Sequence, residues 1–243
     1  MIPPDHPRYR SLLVRERLAW FADQGVVSPE GLAAHGRGEA FDYLLGVRTT
    51  GSALLAERTA AAMLLAARHP VISVNGNTAA LAAREIRDLQ RATRAVVEVN
   101  LFHRSPERIQ KVTRLLEGHG VDVLDGDVER LIPVSHDRGW SHRDGAAAAD
   151  AILVPLEDGD RAEALVSMGK KVIAIDLNPL SRTARAATLT IVDEVTRAIP
   201  EITLAAGELT GGECEKLISR VDNSYFLHAA LDEIARRLSH ALD

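Results

Sequence analysis

Residues 176–183 carry side chains that could bind a nucleotide. They follow residues 171–174, an apolar run that predicts a buried parallel strand. In an open α/β sheet, ligands bind just beyond the carboxyl ends of such strands. There Asp176 could hold a ribose hydroxyl, Asn178 the edge of a base or sugar, and Arg182 with Thr183 a phosphate. The segment therefore predicts a nucleotide site.

A second polar segment joins a predicted strand to a predicted helix at Asn75, Gly76 and Asn77. Glycine lets the backbone turn sharply, and the free amides at a helix start can bind an anion. A tight turn in which asparagine caps the helix explains the same residues equally well.

The next predicted strand is followed by His103 and Arg104. The histidine could act as a general base or contact a phosphate, and the arginine could hold an anion. A surface loop is the alternative. The proximity of the Asn75 turn, at the same predicted edge of the sheet, favours the functional reading.

Three carboxylates follow a further predicted strand at Glu157, Asp158 and Asp160. They could hold the Mg²⁺ that brings in ATP phosphates, with Asp158 and Asp160 as candidate ligands. They could instead be first-turn acids that stabilise the following helix. In the N-terminal part, Arg37 lies between two glycines and could approach a phosphate, and Arg15 is a second candidate cation.

Alternating apolar and helical segments predict a doubly wound, mostly parallel α/β sheet. The predicted strands are residues 71–74, 95–99, 121–124, 151–155, 172–175 and 189–192. We expect one domain over residues 1–243, with a helical segment at 1–68, a core at 70–200 and C-terminal helices at 205–243. The last helix has an apolar stripe that could cover the core or form a dimer interface, namely Leu227, Ala230, Leu231, Ile234 and Leu238.

Composition narrows the class of protein. The net charge of −5 over 243 residues argues against a nucleic-acid-binding protein. The single cysteine, Cys214, fits a reducing cytosol. The chain shows no signal peptide and no apolar run long enough to span a membrane, so we expect a cytoplasmic protein. The common glycine-rich nucleotide-binding motifs, paired zinc ligands and the hydrolase serine motif are also absent.

The same polar segments resemble one family, the archaeal phosphopantothenate synthetases, which are 4-phosphopantoate–β-alanine ligases. The matching segments are HPRY and RE at residues 6–9 and 15–16, GLAAHGRGEAFDYLLG at 31–46, PVISVNGN at 70–77, EVNLFHR at 98–104, VPLEDGDR at 154–161, DLNPLSRT at 176–183, IVD at 191–193 and RAIP at 197–200. The resemblance implies a Rossmann-like, homodimeric, cytoplasmic enzyme of coenzyme A biosynthesis. Its reaction would join (R)-4-phosphopantoate to β-alanine, with ATP cleaved to AMP and pyrophosphate.

The resemblance also implies which residues contact ATP: Arg15, Arg37, Asp176, Leu177, Asn178, Arg182, Thr183, Glu194 and Val195. At position 194 it leads us to expect asparagine more often than glutamate. From anion chemistry we assign Asn75, Gly76, Asn77, His103 and Arg104 to phosphopantoate, with His103 and Arg104 as candidate catalytic residues. The base for the β-alanine amine could be His103, His35 or water.

Two other functions remain open at this stage. A related ligase could use another phosphorylated acid with the same ATP residues. A nucleotide-binding regulator would bind ATP without releasing pyrophosphate.

Overall fold

A computed structural model describes residues 2–241 and contains a five-stranded parallel sheet. The strands are β1 (Pro70–Val74), β2 (Val96–Val99), β3 (Val128–Arg130), β4 (Trp140–His142), β5 (Ala151–Pro155), β6 (Lys171–Ile175) and β7 (Leu189–Ile191). The sheet order is β2-β1-β5-β6-β7, whereas β3 and β4 form a separate antiparallel pair. Counted along the chain, the five parallel strands have the order 2-1-3-4-5, a common doubly wound arrangement.

Helices precede, connect and follow the strands. They are α1 (Tyr9–Asp23), α2 (Pro29–Leu45), α3 (Gly51–Ala66), α4 (Gly76–Thr93), α5 (Pro106–Gly118), α6 (Gly159–Ser167), α7 (Arg182–Ala186), α8 (Val195–Glu208), α9 (Gly211–Ile218) and α10 (Asn223–Ser239). Ser28 and Ser105 each cap the following helix by accepting a hydrogen bond from the backbone N–H three residues on, and a proline follows each.

Helices cover both faces of the sheet. Successive strand residues point to opposite faces, so Ile72 packs with α3, α4 and α8 while Val71 packs with α6. On β6, Ile173 likewise packs on the face covered by α3, α4 and α8, and Val172 packs on the face covered by α6. The predicted doubly wound α/β fold is confirmed.

One predicted strand is wrong. Residues 121–124 make a single parallel bridge, from Val123 to Val97, and no ladder. The side chain of Gln90 on α4 explains this, because it binds both backbone groups of Asp122, accepting from the N–H at 2.9 Å and donating to the carbonyl at 2.7 Å. The Asp122 N–H is therefore not free to extend the pairing with β2.

The antiparallel pair β3–β4 and helix α8 lie where the sequence predicted no element. The buried carboxylate of Glu98 on β2 holds the pair against the sheet. It accepts hydrogen bonds from the Ser141 hydroxyl and from the amides of His142 and Ala146, at 2.7–3.0 Å. Helix α8 forms despite an internal proline at 200, because its apolar face is buried against α3 and α4.

The stripe on α10 packs partly on the core. Ala230 and Ile234 are buried in a small cluster with Leu177, whereas Leu238 is 57% exposed. Of the two roles left open for the stripe, covering the core therefore applies to Ala230 and Ile234. Within residues 2–241, no helix has the length and apolarity to cross a membrane.

One buried acid lies between α3 and α8. Glu57 is fully buried, and its carboxyl group lies within hydrogen-bonding reach of Asp193. Burial, together with the neighbouring Asp193, raises the pKa of Glu57 to about 9. Glu57 is therefore protonated in the folded protein at neutral pH.

We predict that Glu57→Gln removes part of the pH dependence of stability. The folded protein keeps the Glu57 proton up to about pH 9, whereas the unfolded chain releases it near its ordinary pKa of 4.5. The wild-type free energy of unfolding should therefore fall as pH rises through this window, by at most about 1.4 kcal/mol per pH unit. Urea unfolding from pH 5 to 9 measures this slope, which should be shallower in the variant.

The exposed substitution Glu215→Gln is the matched control and should leave the slope as in the wild type. Equal slopes for Glu57→Gln and the wild type would show that Glu57 is ionised in the folded state.

Candidate active site

The candidate site lies where the sheet order changes direction, between β1 and β5. Asn75, at the end of β1, joins the two strands because its amide group donates to the carbonyls of Pro155 and Leu156 at 2.8 and 3.1 Å. Its side-chain oxygen accepts from the amide and hydroxyl of Thr78 and so caps α4. In doubly wound sheets this position is the usual ligand crevice.

The N-terminus of α4 is enclosed by the N-terminal part of the chain. A Cβ placed on Gly76 would come within 2.3 Å of the Val26 carbonyl oxygen, so only glycine permits this approach. The Asn77 amide donates to the carbonyl of Gly31 on α2 at 2.8 Å. The backbone amides of Gly76 and Asn77 themselves have no hydrogen-bond partner among residues 2–241, which makes them available to an anion.

A cavity of about 310 Å³ opens at this point, which we call the switch-point cleft. Its polar lining consists of Gly76 and Asn77 together with the charged or ionisable side chains of Glu30, Arg37, His103, Arg108, Arg138 and Asp158. Three of these are arginines, so the cleft suits a polyanionic ligand.

Arg138 is held in the cleft by a buried ion-pair network. Its guanidinium lies 3.0 Å from Glu157 and 2.6 Å from Asp158. Glu157 also pairs with Arg161, which is completely buried and donates to the Ser73 hydroxyl. Although burial opposes it, the charges of Arg138 and Arg161 lower the pKa of Glu157, so this acid is ionised. The network neutralises much of the Arg138 charge.

The residues after β6 form a compact turn. Asp176 accepts from the amide of Asn178 at 2.9 Å and from the Ser181 hydroxyl. Burial raises the pKa of Asp176, against these hydrogen bonds and the nearby charge of Arg37. Thr183 donates to the Glu157 carbonyl at 2.8 Å, which joins this turn to the end of β5.

The remaining candidate ATP residues do not all line the same cavity. Arg37 lines the switch-point cleft, but Leu177 and Glu194 line a second cavity of about 360 Å³, the α1–α2 cavity. Arg15 pairs with the buried Glu39 through two hydrogen bonds near 3 Å. Arg182 is exposed and pairs with an equally exposed acid on α6.

The last two candidate ATP residues lie at the start of α8. Glu194 caps the helix by accepting from the Thr196 amide, and burial raises the pKa of the Glu194 carboxyl. Val195 is 2% exposed and belongs to the core.

The two candidate bases are separated. His103 lines the switch-point cleft, with its Nε2 3.5 Å from a carboxylate oxygen of Glu30. His35 lines the α1–α2 cavity, where burial lowers its pKa. Arg104 lies in an open groove beside the cleft, near Glu98 and Asp137. Of the two histidines, only His103 faces the cleft.

The acidic segment after β5 leaves few carboxylate oxygens free to bind a metal ion. Both oxygens of Glu157 face arginines, and Asp160 pairs with His136 at 2.8 Å. Asp158 contacts Arg138 through one oxygen. Across residues 2–241, the histidine, cysteine, aspartate and glutamate side chains form no group of three suited to a metal. A single carboxylate fits only an Mg²⁺ ion that arrives with nucleotide phosphates.

Arg108 and Arg138 in the cleft were missed from the sequence. Arg108 lies three residues after the helix start at Ser105, a position that faces the same edge of the sheet as the preceding loop. The three-residue separation from Ser105 could therefore have identified Arg108 as a residue at this edge of the sheet. Arg138 lies in a segment without any predicted element, and nothing local marks it.

The fold and the cleft define an α/β protein with an arginine-lined cleft at the switch point of its sheet. A family model described as phosphopantothenate/pantothenate synthetase matches residues 52–237. A Methanospirillum hungatei protein named 4-phosphopantoate–beta-alanine ligase is 59% identical over 243 residues, which is 100% of both chains. Proteins of the same name from Methanosarcina mazei and Thermococcus kodakarensis are 50% and 46% identical, over 98% of this chain and 95% and 94% of theirs. The chain belongs to the phosphopantothenate/pantothenate synthetase family.

We predict that Gly76→Ala destabilises the protein and weakens anion binding at the α4 N-terminus. The added methyl group would overlap the Val26 carbonyl, and relieving such an overlap costs about 1–3 kcal/mol. Thermal unfolding measures the loss. Gly207→Ala is the matched control, since nothing lies within 4 Å of its Cβ position on the exposed side of α8. It should be neutral or stabilising by about 0.5–1 kcal/mol. An equally stable Gly76→Ala would contradict the close approach.

Proposed function

We propose that this chain is an ATP-dependent ligase that joins (R)-4-phosphopantoate to β-alanine in coenzyme A biosynthesis. The products would be 4′-phosphopantothenate, AMP and pyrophosphate. The observation that carries the proposal is the combination of full-length relatives named 4-phosphopantoate–beta-alanine ligase with an arginine-lined cleft at the switch point.

The chemistry explains why such a cleft is needed. A carboxylate does not react with an amine at neutral pH until its oxygen becomes a leaving group. In the proposed first step, the pantoate carboxylate attacks the α-phosphorus of ATP, and pyrophosphate leaves. In the second, the β-alanine nitrogen attacks the acyl carbon, the bond to AMP breaks, and the amine loses a proton. The protein must hold two polyanions close together, which favours arginines and preorganised amides.

We assign the two anionic substrates to opposite sides of the switch-point cleft. Phosphopantoate lies at the α4 N-terminus beside Asn75, Gly76 and Asn77, flanked by His103 and Arg104. ATP lies toward Arg37 and the turn at Asp176. The other ATP residues implied by the family, Arg15, Leu177, Asn178, Arg182, Thr183, Glu194 and Val195, remain proposals.

Three further properties belong to this proposal. Mg²⁺ enters as the ATP complex, with Asp158 in the cleft as its candidate ligand, whereas Asp160 is paired with His136. The chain acts as one domain, since residues of α1, α3, α4 and α8 share one apolar core. The working form is a cytoplasmic homodimer.

We expect the purified protein to form AMP and 4′-phosphopantothenate only when ATP, Mg²⁺, 4-phosphopantoate and β-alanine are all present. Mass spectrometry of the complete mixture, and of mixtures lacking each component, measures this. Formation of ADP instead of AMP would indicate that the intermediate is an acyl phosphate and not an acyl adenylate. ATP binding without any product would instead indicate a nucleotide-binding regulator, or a ligase for another phosphorylated acid.

We predict that His103→Gln slows amide formation more than adenylate formation. His103 faces the cleft and can take the proton from the attacking amine, whereas the first step needs no base. Pyrophosphate–ATP exchange with phosphopantoate measures the first step, and amide formation measures the whole reaction. A loss of 10²-fold or more confined to amide formation is expected.

His119→Gln, on the distant end of α5, is the control and should affect neither step. Equal losses in both steps for His103→Gln would assign His103 to binding rather than to proton transfer.

A further inference from the structure

Arg108 differs from Arg138 and Arg161, the arginines of the buried network, because it makes no ion pair within residues 2–241. Its Nε and Nη1 donate to the backbone carbonyls of Val26 and His103, at 3.2 and 3.1 Å. Its Nη2 has no acceptor, and the guanidinium makes no ion pair, among residues 2–241. By contrast, Arg138 contacts two carboxylates.

Because of where Arg108 lies, its unpaired charge raises the free energy of the ligand-free protein. The side chain is half-buried, and burial together with the like charge of Arg138 lowers the pKa of Arg108. The charge of Glu30 acts on Arg108, but Glu30 lies 3.5 Å from His103 and its side chain is 66% exposed. A half-buried cation beside a second cation gains most from a bound anion.

Three donors converge near Arg108. Its Nη2 would lie 3.0 Å from a Cβ placed on Gly76, so it is adjacent to the first turn of α4. The free amides of Gly76 and Asn77 are in that turn, and the helix has 18 residues. One unpaired guanidinium nitrogen and two helix amides match the oxygens of a phosphomonoester, whose charge at neutral pH is about −1.5 to −2.

We propose that Arg108 binds the phosphate group of the acid substrate and makes the enzyme specific for the phosphorylated acid. This rests on the proposed function, in which the phosphate and the reacting carboxylate are at opposite ends of phosphopantoate. Arg108 lies at the end of the cleft that continues into the open groove, whereas Arg37 lies beside Asp176 on the nucleotide side. A substrate bound by Arg108 therefore directs its carboxylate toward ATP.

The test compares 4-phosphopantoate with pantoate, which lacks the phosphate, in wild type and Arg108→Gln. We expect kcat/KM for 4-phosphopantoate to fall about 10- to 100-fold, through KM, with little change for pantoate or in the KM for ATP. The preference for the phosphorylated acid should fall by the same factor. An unchanged preference, or an equal loss with both acids, would overturn the assignment.

Two further variants separate Arg108 from its neighbours. Arg114→Gln removes the same charge from the exposed side of α5 and should keep the wild-type preference. Arg104→Gln tests the neighbouring arginine, and loss of preference there but not in Arg108→Gln would transfer the role to Arg104. If Arg108→Gln does not fold, Arg108→Met decides the matter. Methionine keeps an unbranched side chain but not the charge, so a folded methionine variant with the full preference would overturn the proposal.

Calorimetric binding of 4-phosphopantoate separates this inference from the ligase activity. If the wild type forms no amide but binds 4-phosphopantoate more tightly than Arg108→Gln does, the proposed reaction fails and the phosphate site remains. If the wild type and Arg108→Gln bind 4-phosphopantoate equally tightly, Arg108 does not bind the phosphate, whether or not the protein is a ligase.

Discussion

The hydrogen bonds of Asn75 are the constraint on which the candidate site depends. An asparagine side chain offers two donors and two acceptor positions, and Asn75 uses all four, on Pro155, Leu156 and Thr78. These bonds join the ends of β1 and β5 and start α4 at a defined place. The cleft opens beside these same groups, so its shape follows from satisfying buried polar atoms. The side chain of Asn75 therefore shapes the cleft, and the adjacent backbone amides are left for the ligand.

Charge balance around the cleft distinguishes its arginines. Arg138 and Arg161 share the buried Glu157, and Arg138 also contacts Asp158, so two carboxylates fix the positions of the two arginines and offset their charges. Arg37 and Arg108 make no ion pair in the described part of the chain. Paired arginines build the wall of the cleft, and unpaired arginines at its two ends provide the attraction for anions. A substrate with anionic groups at both ends, placed next to ATP, fits this distribution.

The sequence predicted the parts of this structure that depend on local patterns. Apolar runs located the strands of the sheet, because the burial of a strand leaves a local pattern in the sequence. The failures depend on distant partners. Gln90 prevents a strand at Asp122, and Glu98 holds an antiparallel pair whose strands are only three residues long. Arg138 likewise lies in the cleft only because Glu157, 19 positions later in the printed sequence, pairs with it.

The N-terminal helices belong to the site although the family model begins at residue 52. The Val26 carbonyl contacts both Gly76 and Arg108, and Gly31 accepts the hydrogen bond from Asn77. Without this segment, the first turn of α4 would face solvent and Arg108 would lose one of its two backbone acceptors. Water would then compete for the amides and weaken their interaction with a phosphate. The similarity to the Methanospirillum hungatei relative extends over the whole chain, as a site built from both the N-terminal helices and the sheet requires.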